Sequence, residues 1–142
     1  MIASDFNPEI LNTNCNYIIQ PYVRQYETLN KLYPGSVNTF RITTYLENDG
    51  TVSVKFAILR FGVDGMKIDN LSGGGQYLFF DESGIPSEVS YFDYKIGCIN
   101  GVEHKNTGFL FSELNLPMFN QILEKCEKWR RVIYFNSNQS LL

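Results

Sequence analysis

Cysteine, histidine and long apolar runs are all scarce in this 142-residue chain. The three cysteines (Cys15, Cys98 and Cys126) are odd in number, widely spaced and without a CxxC pair. That spacing argues against a disulfide framework and a thiolate metal site, and makes reduced, mostly buried thiols of a cytoplasmic protein the expectation. A single histidine, His104 in GVEHKNTG, confines any Ser-His-Asp or Cys-His arrangement to one position. No nucleophile elbow lies near it, and a hydrogen-bonded loop histidine is the expected role. No run approaches the ~18 apolar residues of a membrane span. The opening MIASDFNPEI lacks a basic patch followed by an apolar core, so no secretory signal is expected. Both GxGxxG and GxxxxGK[ST] are absent, which removes the two familiar phosphate loops. Basic residues are outnumbered, with a net charge of −3 and a pI near 5.1, against a nucleic-acid partner. The basic cluster Lys125, Lys128, Arg130 and Arg131 reads as a solvated helix face.

Aromatic residues are plentiful. Eleven Phe and nine Tyr in a composition 44% hydrophobic and 19% charged describe a single sheet-rich globular domain. Asn16–Val23 (NYIIQPYV) reads as a short strand broken by Pro21, and residues 24–32 as a short helix closed by Tyr33-Pro34-Gly35. Asn38–Glu47 and Thr51–Arg60 are alternating, β-branched runs around Asn48-Asp49-Gly50. Both place their most apolar residues at even positions, so facing parity calls for a three-residue loop with Gly50 in the left-handed region. That register sets Asn38 opposite Arg60, and Arg41 opposite Ala57 on the other face. Gln76–Asp81 reads as a third strand, Asp81–Gly84 as a turn, and Glu88–Ile96 as a fourth strand. Near the end, Phe119, Ile122, Leu123 and Cys126 fall at helical spacing, with Ser112 or Asn115 as a cap and Pro117 in the first turn. Trp129 continues that apolar stripe as a core residue. The fold class is α+β: a mainly antiparallel sheet with a C-terminal amphipathic helix.

Candidate chemistry gathers around two strand arginines and a glycine run. Arg41 interrupts a strand of Thr, Tyr and apolar residues, and Arg60 ends a strand before Phe61-Gly62. Arginine offers a planar fork for phosphate or carboxylate, while salt-bridged surface arginines are the plain alternative. Asp64, Asp69, Asp81 and Glu82 lie near turns, where aspartate is also a turn former. In IDNLSGGGQYLFF, three glycines stand between Asn70 and an apolar strand. They serve either a turn or a close ligand approach.

The ordered set SVNTFRI, LRFG, IDN and GGG resembles the sugar-transfer-associated ATP-grasp family and, more distantly, the glutamate-ligase branch of the ATP-grasp superfamily. The matching positions are Asn38, Thr39 and Arg41; Arg60 and Gly62; Asp69 and Asn70; Gly73 and Gly74. YIIQPYV resembles the hinge strand whose backbone holds adenine, which implies that Gln20, Tyr22 and Val23 line the adenine edge. EHKNTG is similar to a family "H-P-x-T-G" segment, with Lys105 in the proline's place, and LNLP matches the run-in to the family's helix. The resemblance covers residues 16–131 of a single partial domain, the central to C-terminal part of an ATP-grasp fold.

It implies ATP-dependent joining of a carboxylate to an amine through an acyl phosphate, with magnesium as cofactor. Arg60 and Arg41 would neutralise the γ-phosphate and the tetrahedral intermediate; Asn38, Asn70, Gly73 and Gly74 would stand on the phosphate side. Asp69 suits metal, hydrogen-bond or turn work, and His104 is a further possible site residue. The family's lysine-bearing lobe and late magnesium carboxylates have no counterpart in the sequence, so the expectation is a fragment or degenerate form, inactive alone and prone to self-association. A sugar-transfer or polysaccharide context follows from the family. Two other readings stand: a non-enzymatic α+β module for an anionic ligand or protein partner, and a subunit completed by another chain.

Overall fold

The computed structural model describes residues 9, 16, 23–92 and 101–128. The strand expected at 16–23, the continuation of a fourth strand past 92 and the stripe position Trp129 fall wholly or partly outside those residues. A short helix α1 (Glu27–Leu32) leads into strands β1 (Thr39–Leu46), β2 (Val52–Phe61), β3 (Gln76–Phe80) and the two-residue β4 (Tyr91–Phe92). They form a four-stranded sheet in the order β1-β2-β3-β4, each neighbouring pair antiparallel. A helix α2 follows over 119–128. This is the expected α+β arrangement. Among the described residues no helix is long and apolar enough to cross a membrane.

The β1–β2 hairpin forms as its chemistry requires. The Gly50 N–H bonds the Glu47 carbonyl, the Glu47 N–H bonds the Thr51 carbonyl, and Gly50 takes φ +82°. This is the three-residue loop whose last position must tolerate positive φ. Asp49 fixes the turn, its carboxylate accepting from the Thr51 N–H at 2.9 Å and the Thr51 hydroxyl at 2.7 Å.

Beyond the loop, the expected register fails. Leu46↔Val52 and Thr44↔Val54 pair as parity predicts, but the next pair is Thr43↔Phe56, leaving Lys55 without a cross-strand partner. From there Arg41 faces Ile58, not Ala57, and Thr39, not Asn38, faces Arg60. One extra residue in a strand is a β-bulge, and it exchanges the two faces for every later position. The core-facing residues of β2 therefore change from even to odd. Ala57, Leu59 and Phe61 are buried, whereas Phe56 is 44% exposed. The alternation in the sequence runs straight through the bulge and gives no sign of it.

The buried sheet face carries Leu59, Phe61, Leu78 and Phe80, covered by Leu29 and Leu32 of α1, by Phe111 and Leu114, and by Phe119 of α2. Phe119 stacks on Phe80 at 5.2 Å and tilts against Phe40 at 5.9 Å, which fixes the start of α2 on the sheet. Ile122, Leu123 and Cys126 are half-buried, as the helical stripe predicts. The turn after β3 closes through the Gly84 N–H and the Asp81 carbonyl at 3.1 Å.

The bulge makes a sharp prediction. Deleting Lys55 joins Val54 to Phe56 and removes the bulge while leaving every later pair as it stands, with Arg60 still opposite Thr39 on the outward face. Lys55→Ala keeps the bulge and removes only an exposed ion pair with Glu47, costing below ~1 kcal/mol. Urea unfolding should show small losses for both variants; a loss of ~3–5 kcal/mol for the deletion alone, the cost of turning Arg60 inward without its partner, would contradict the assigned register.

Candidate functional site

Antiparallel pairing places opposed residues on one face, and the outward face of this sheet reads as two rows. Thr39, Arg60, Tyr77 and Tyr91 form one; Arg41, Ile58 and Phe79 form the next. Both arginines thus occupy the same face, in diagonal positions roughly 7–8 Å apart by sheet geometry. The uninterrupted register would have put them on opposite faces. Beside them Tyr77, Phe79 and Tyr91 pack ring on ring, with centroids 5.3–5.6 Å apart. This aromatic cluster was missed in the sequence, because QYLFF alone does not show which parity faces out.

The two arginines are held differently. Arg60 is largely covered, and its guanidinium donates to the Asp69 backbone carbonyl from Nε at 3.2 Å and Nη2 at 2.9 Å. Nη2 also reaches the Asp69 carboxylate at 3.3 Å. The other oxygen of that carboxylate accepts from the Thr39 hydroxyl. Arg60 is therefore a fixed fork, tied to the loop that follows β2. Arg41 is exposed and makes no ion pair with the described residues.

The glycine loop hangs from the same point. Asn70 caps the single 3-10 turn Leu71–Gly73: its side chain accepts from the Ser72 N–H at 3.3 Å. Its carbonyl accepts from the N–H groups of Gly73 at 3.1 Å and Gly75 at 3.0 Å. Gly74 closes the turn at φ +103°. Gly73 and Gly74 are exposed, but Gly75 is buried, and a Cβ there would stand 2.9 Å from the Asn70 carbonyl oxygen. At that third position the backbone is thinned for the loop's own packing.

The remaining candidates lie elsewhere. Asn38 is buried, and its amide donates to the carbonyls of Leu29 at 2.7 Å and Tyr33 at 2.9 Å, where it closes the end of α1. Val23 is exposed, and Gln20 and Tyr22 fall outside the described residues. A cavity of about 360 Å³ beside Ser83, Gly84, Asn115 and Asn120 contains none of the candidates.

His104 is fully buried between Tyr33 and Phe61. Its Nδ1 accepts from the N–H groups of Asn106 at 3.2 Å and Thr107 at 3.4 Å, so the ring proton sits on Nε2, 2.9 Å from the Gly62 carbonyl. Burial pushes the His104 pKa below its ordinary 6.5, with the Gly62 bond opposing that shift. Next to it Asp64, at φ +54°, pairs with Lys105 and accepts from Asn106. The Lys105 ammonium and the Asn106 amide hold the Asp64 carboxyl below the usual carboxylate range. The segment 104–107 thereby fastens the beginning of the loop that ends at Asp69 and the glycines. Among the described residues no three His, Cys, Asp or Glu side chains come together to hold a metal ion.

A family model described as sugar-transfer associated ATP-grasp matches residues 9–136. No curated protein and no solved structure matches the chain.

Because His104 is the only histidine, its linkage to stability can be isolated. The unfolded chain binds a proton near pH 6.5, whereas the folded chain resists it. Stability is thus full above that value and declines as pH falls toward the lowered folded pKa. Urea midpoints from about pH 7.5 to 5.5 should fall for the native chain and stay nearly flat for His104→Gln, which also loses ~1–3 kcal/mol. Parallel pH profiles would contradict this.

Proposed function

The chain belongs to the sugar-transfer associated ATP-grasp family, and we propose that the outward sheet face binds the phosphates of ATP in a carboxylate–amine ligase-type site. The observation that carries this reading is the pair Arg41 and Arg60 on one face of adjacent strands. Two guanidinium groups close together suit a polyphosphate, since each offers a fork of donors to non-bridging oxygens. In the assigned roles, Arg41, exposed and without an ion pair among the described residues, is the cation that meets ligand first. Arg60, pre-aligned by the Asp69 carbonyl, supplies the fixed donor array that a developing negative charge requires. Asn70, Gly73 and Gly74 border the phosphate side. The chemistry implied is attack of a carboxylate oxygen on the γ-phosphorus with departure of ADP, then attack of an amine on the acyl phosphate with departure of phosphate. Sugar transfer or polysaccharide synthesis is the proposed setting.

Magnesium does not fit the described residues, which bring no carboxylate cluster together. Its ligands are assigned to residues outside that set or to a second chain. The 1–142 chain is accordingly read as one unit of an ATP-grasp site that binds nucleotide without turning it over in isolation. A second reading, a non-enzymatic module for an anionic ligand or protein partner, is favoured by one observation. Phe56 and Phe79 are 44% and 41% exposed on the same outward face. Apolar exposure of that kind suits a partner surface.

Isothermal titration with ATP separates the two. Arg41→Ala removes an exposed side chain with no internal ion partner among the described residues, so the fold should be unaffected. A charge-assisted contact is worth ~1.5–3 kcal/mol, so ATP affinity should fall about 10- to 100-fold. Unchanged affinity would favour the partner-binding reading, and steady ADP release by the isolated chain would contradict its reading as a unit that does not turn nucleotide over alone.

A further inference from the structure

Arg60 already holds an anion. The Asp69 carboxylate sits on its Nη2 at 3.3 Å and accepts from Thr39 through its second oxygen, and the two charged side chains are each 15% exposed. Among the outward-facing residues of β1, β2 and β3 in the two rows, no other acidic side chain occurs. The guanidinium has a separate anchor in the Asp69 backbone carbonyl, bonded through Nε and Nη2. The carboxylate is therefore not required to keep Arg60 in place. It occupies an Nη2 donor of Arg60 and the hydroxyl of Thr39, two residues before Arg41 on β1.

We propose that Asp69 is a built-in competitor: its carboxylate, steadied by the Thr39 hydroxyl, occupies the outer donors of Arg60 and is exchanged for a phosphate group of the incoming ligand. The proposal deepens the reading of this face as a polyphosphate site and rests on it for the ligand class. Exchange releases the Thr39 hydroxyl, which steadies only the carboxylate, and frees the outer donors of Arg60 for the ligand, while the backbone carbonyl keeps the fork aligned. The displaced carboxylate belongs to the residue directly before Asn70, whose carbonyl holds the N–H groups of Gly73 and Gly75. Ligand entry is thereby coupled to the glycine loop, whose backbone has few side chains to resist movement. The charge balance is simple: one carboxylate leaves the guanidinium, one phosphate oxygen takes its place, and no bond is made or broken.

Two near-isosteric variants test the exchange, with inorganic triphosphate as the probe and binding read by calorimetry. Asp69→Asn removes the competing charge and should bind triphosphate about tenfold more tightly than the native chain, the worth of one displaced ion pair. Thr39→Val changes no charge but removes the hydroxyl that steadies the carboxylate, and should tighten binding about threefold. Tightening by Asp69→Asn with none by Thr39→Val would reduce the effect to simple charge removal and overturn the exchange. Weaker binding by either variant would make the carboxylate a support for Arg60 and overturn it too, as would no triphosphate binding by any form. Tight triphosphate binding without ATP binding would leave the exchange standing and remove the nucleotide reading. Should a variant fail to fold, hydrogen exchange in the native chain decides. The Gly73 and Gly75 amides should exchange faster on adding triphosphate, and unchanged or slower exchange would overturn the proposal.

Discussion

Lys55 has no backbone pairing partner across the hairpin, and the arrangement of the sheet follows from that one bulged residue. With period-two alternation, a single insertion exchanges inside and outside for all later positions. It sends Ala57, Leu59 and Phe61 into the core and brings Arg60 out beside Arg41. An unbulged strand would have had to bury Arg60 against Phe40, at a cost that the apolar contacts of one strand do not readily offset. The same local irregularity thus fills the core and assembles the two-arginine face. Lys55 itself stays in solvent, paired with Glu47 and lying 5.2 Å from the Tyr45 ring centre.

The connection from β2 to β3, residues 62–75, is long for an antiparallel neighbour and needs tertiary fastening. It is held at Gly62 by His104, at Asp64 by Lys105 and Asn106, at Met66 by the Tyr33 hydroxyl at 3.1 Å, and at Asp69 by Arg60 and Thr39. Most of these fastenings are structural, and Asp69 is the one that coincides with a candidate ligand site. The loop can be well placed as a whole while its last turn, from Asn70 to Gly75, keeps freedom to respond. His104 belongs to this framework: it is a satisfied core histidine whose neutrality the surrounding rings enforce.

Much of the architecture was legible in the sequence because it depends on local chemistry. Asp49 and Gly50 dictate their turn, the 119–126 stripe dictates a helix face, and β-branched alternation dictates two strands. The register was not legible, since a bulge is decided by how well the two sheet faces pack and not by either strand alone. That one miss carried over to the site. Arg41 and Arg60 were recognisable as unusual, but their shared face, the fork held by Asp69 and the Tyr77–Phe79–Tyr91 cluster depend on a parity that only the folded sheet fixes. Asn38 shows the opposite case. Its place in an NTFR segment marked it for a ligand, and in the fold its amide is engaged with the end of α1. The family match over residues 9–136 agrees with the order of the motifs, and the fold divides them between a framework and the outward sheet face.

In the proposed site Arg41 and Arg60 act as one anion-binding pair, because the bulge places them on one face. Nitrogen-15 spectra of the arginine Nε–H groups during titration with a non-hydrolysable ATP analogue test it directly. The account predicts that the Arg41 and Arg60 signals move together, with a common dissociation constant and with accompanying shifts from Asn70 to Gly75. Movement of one arginine alone, or shifts gathered instead around Ser83, Gly84 and Asn120, would contradict it.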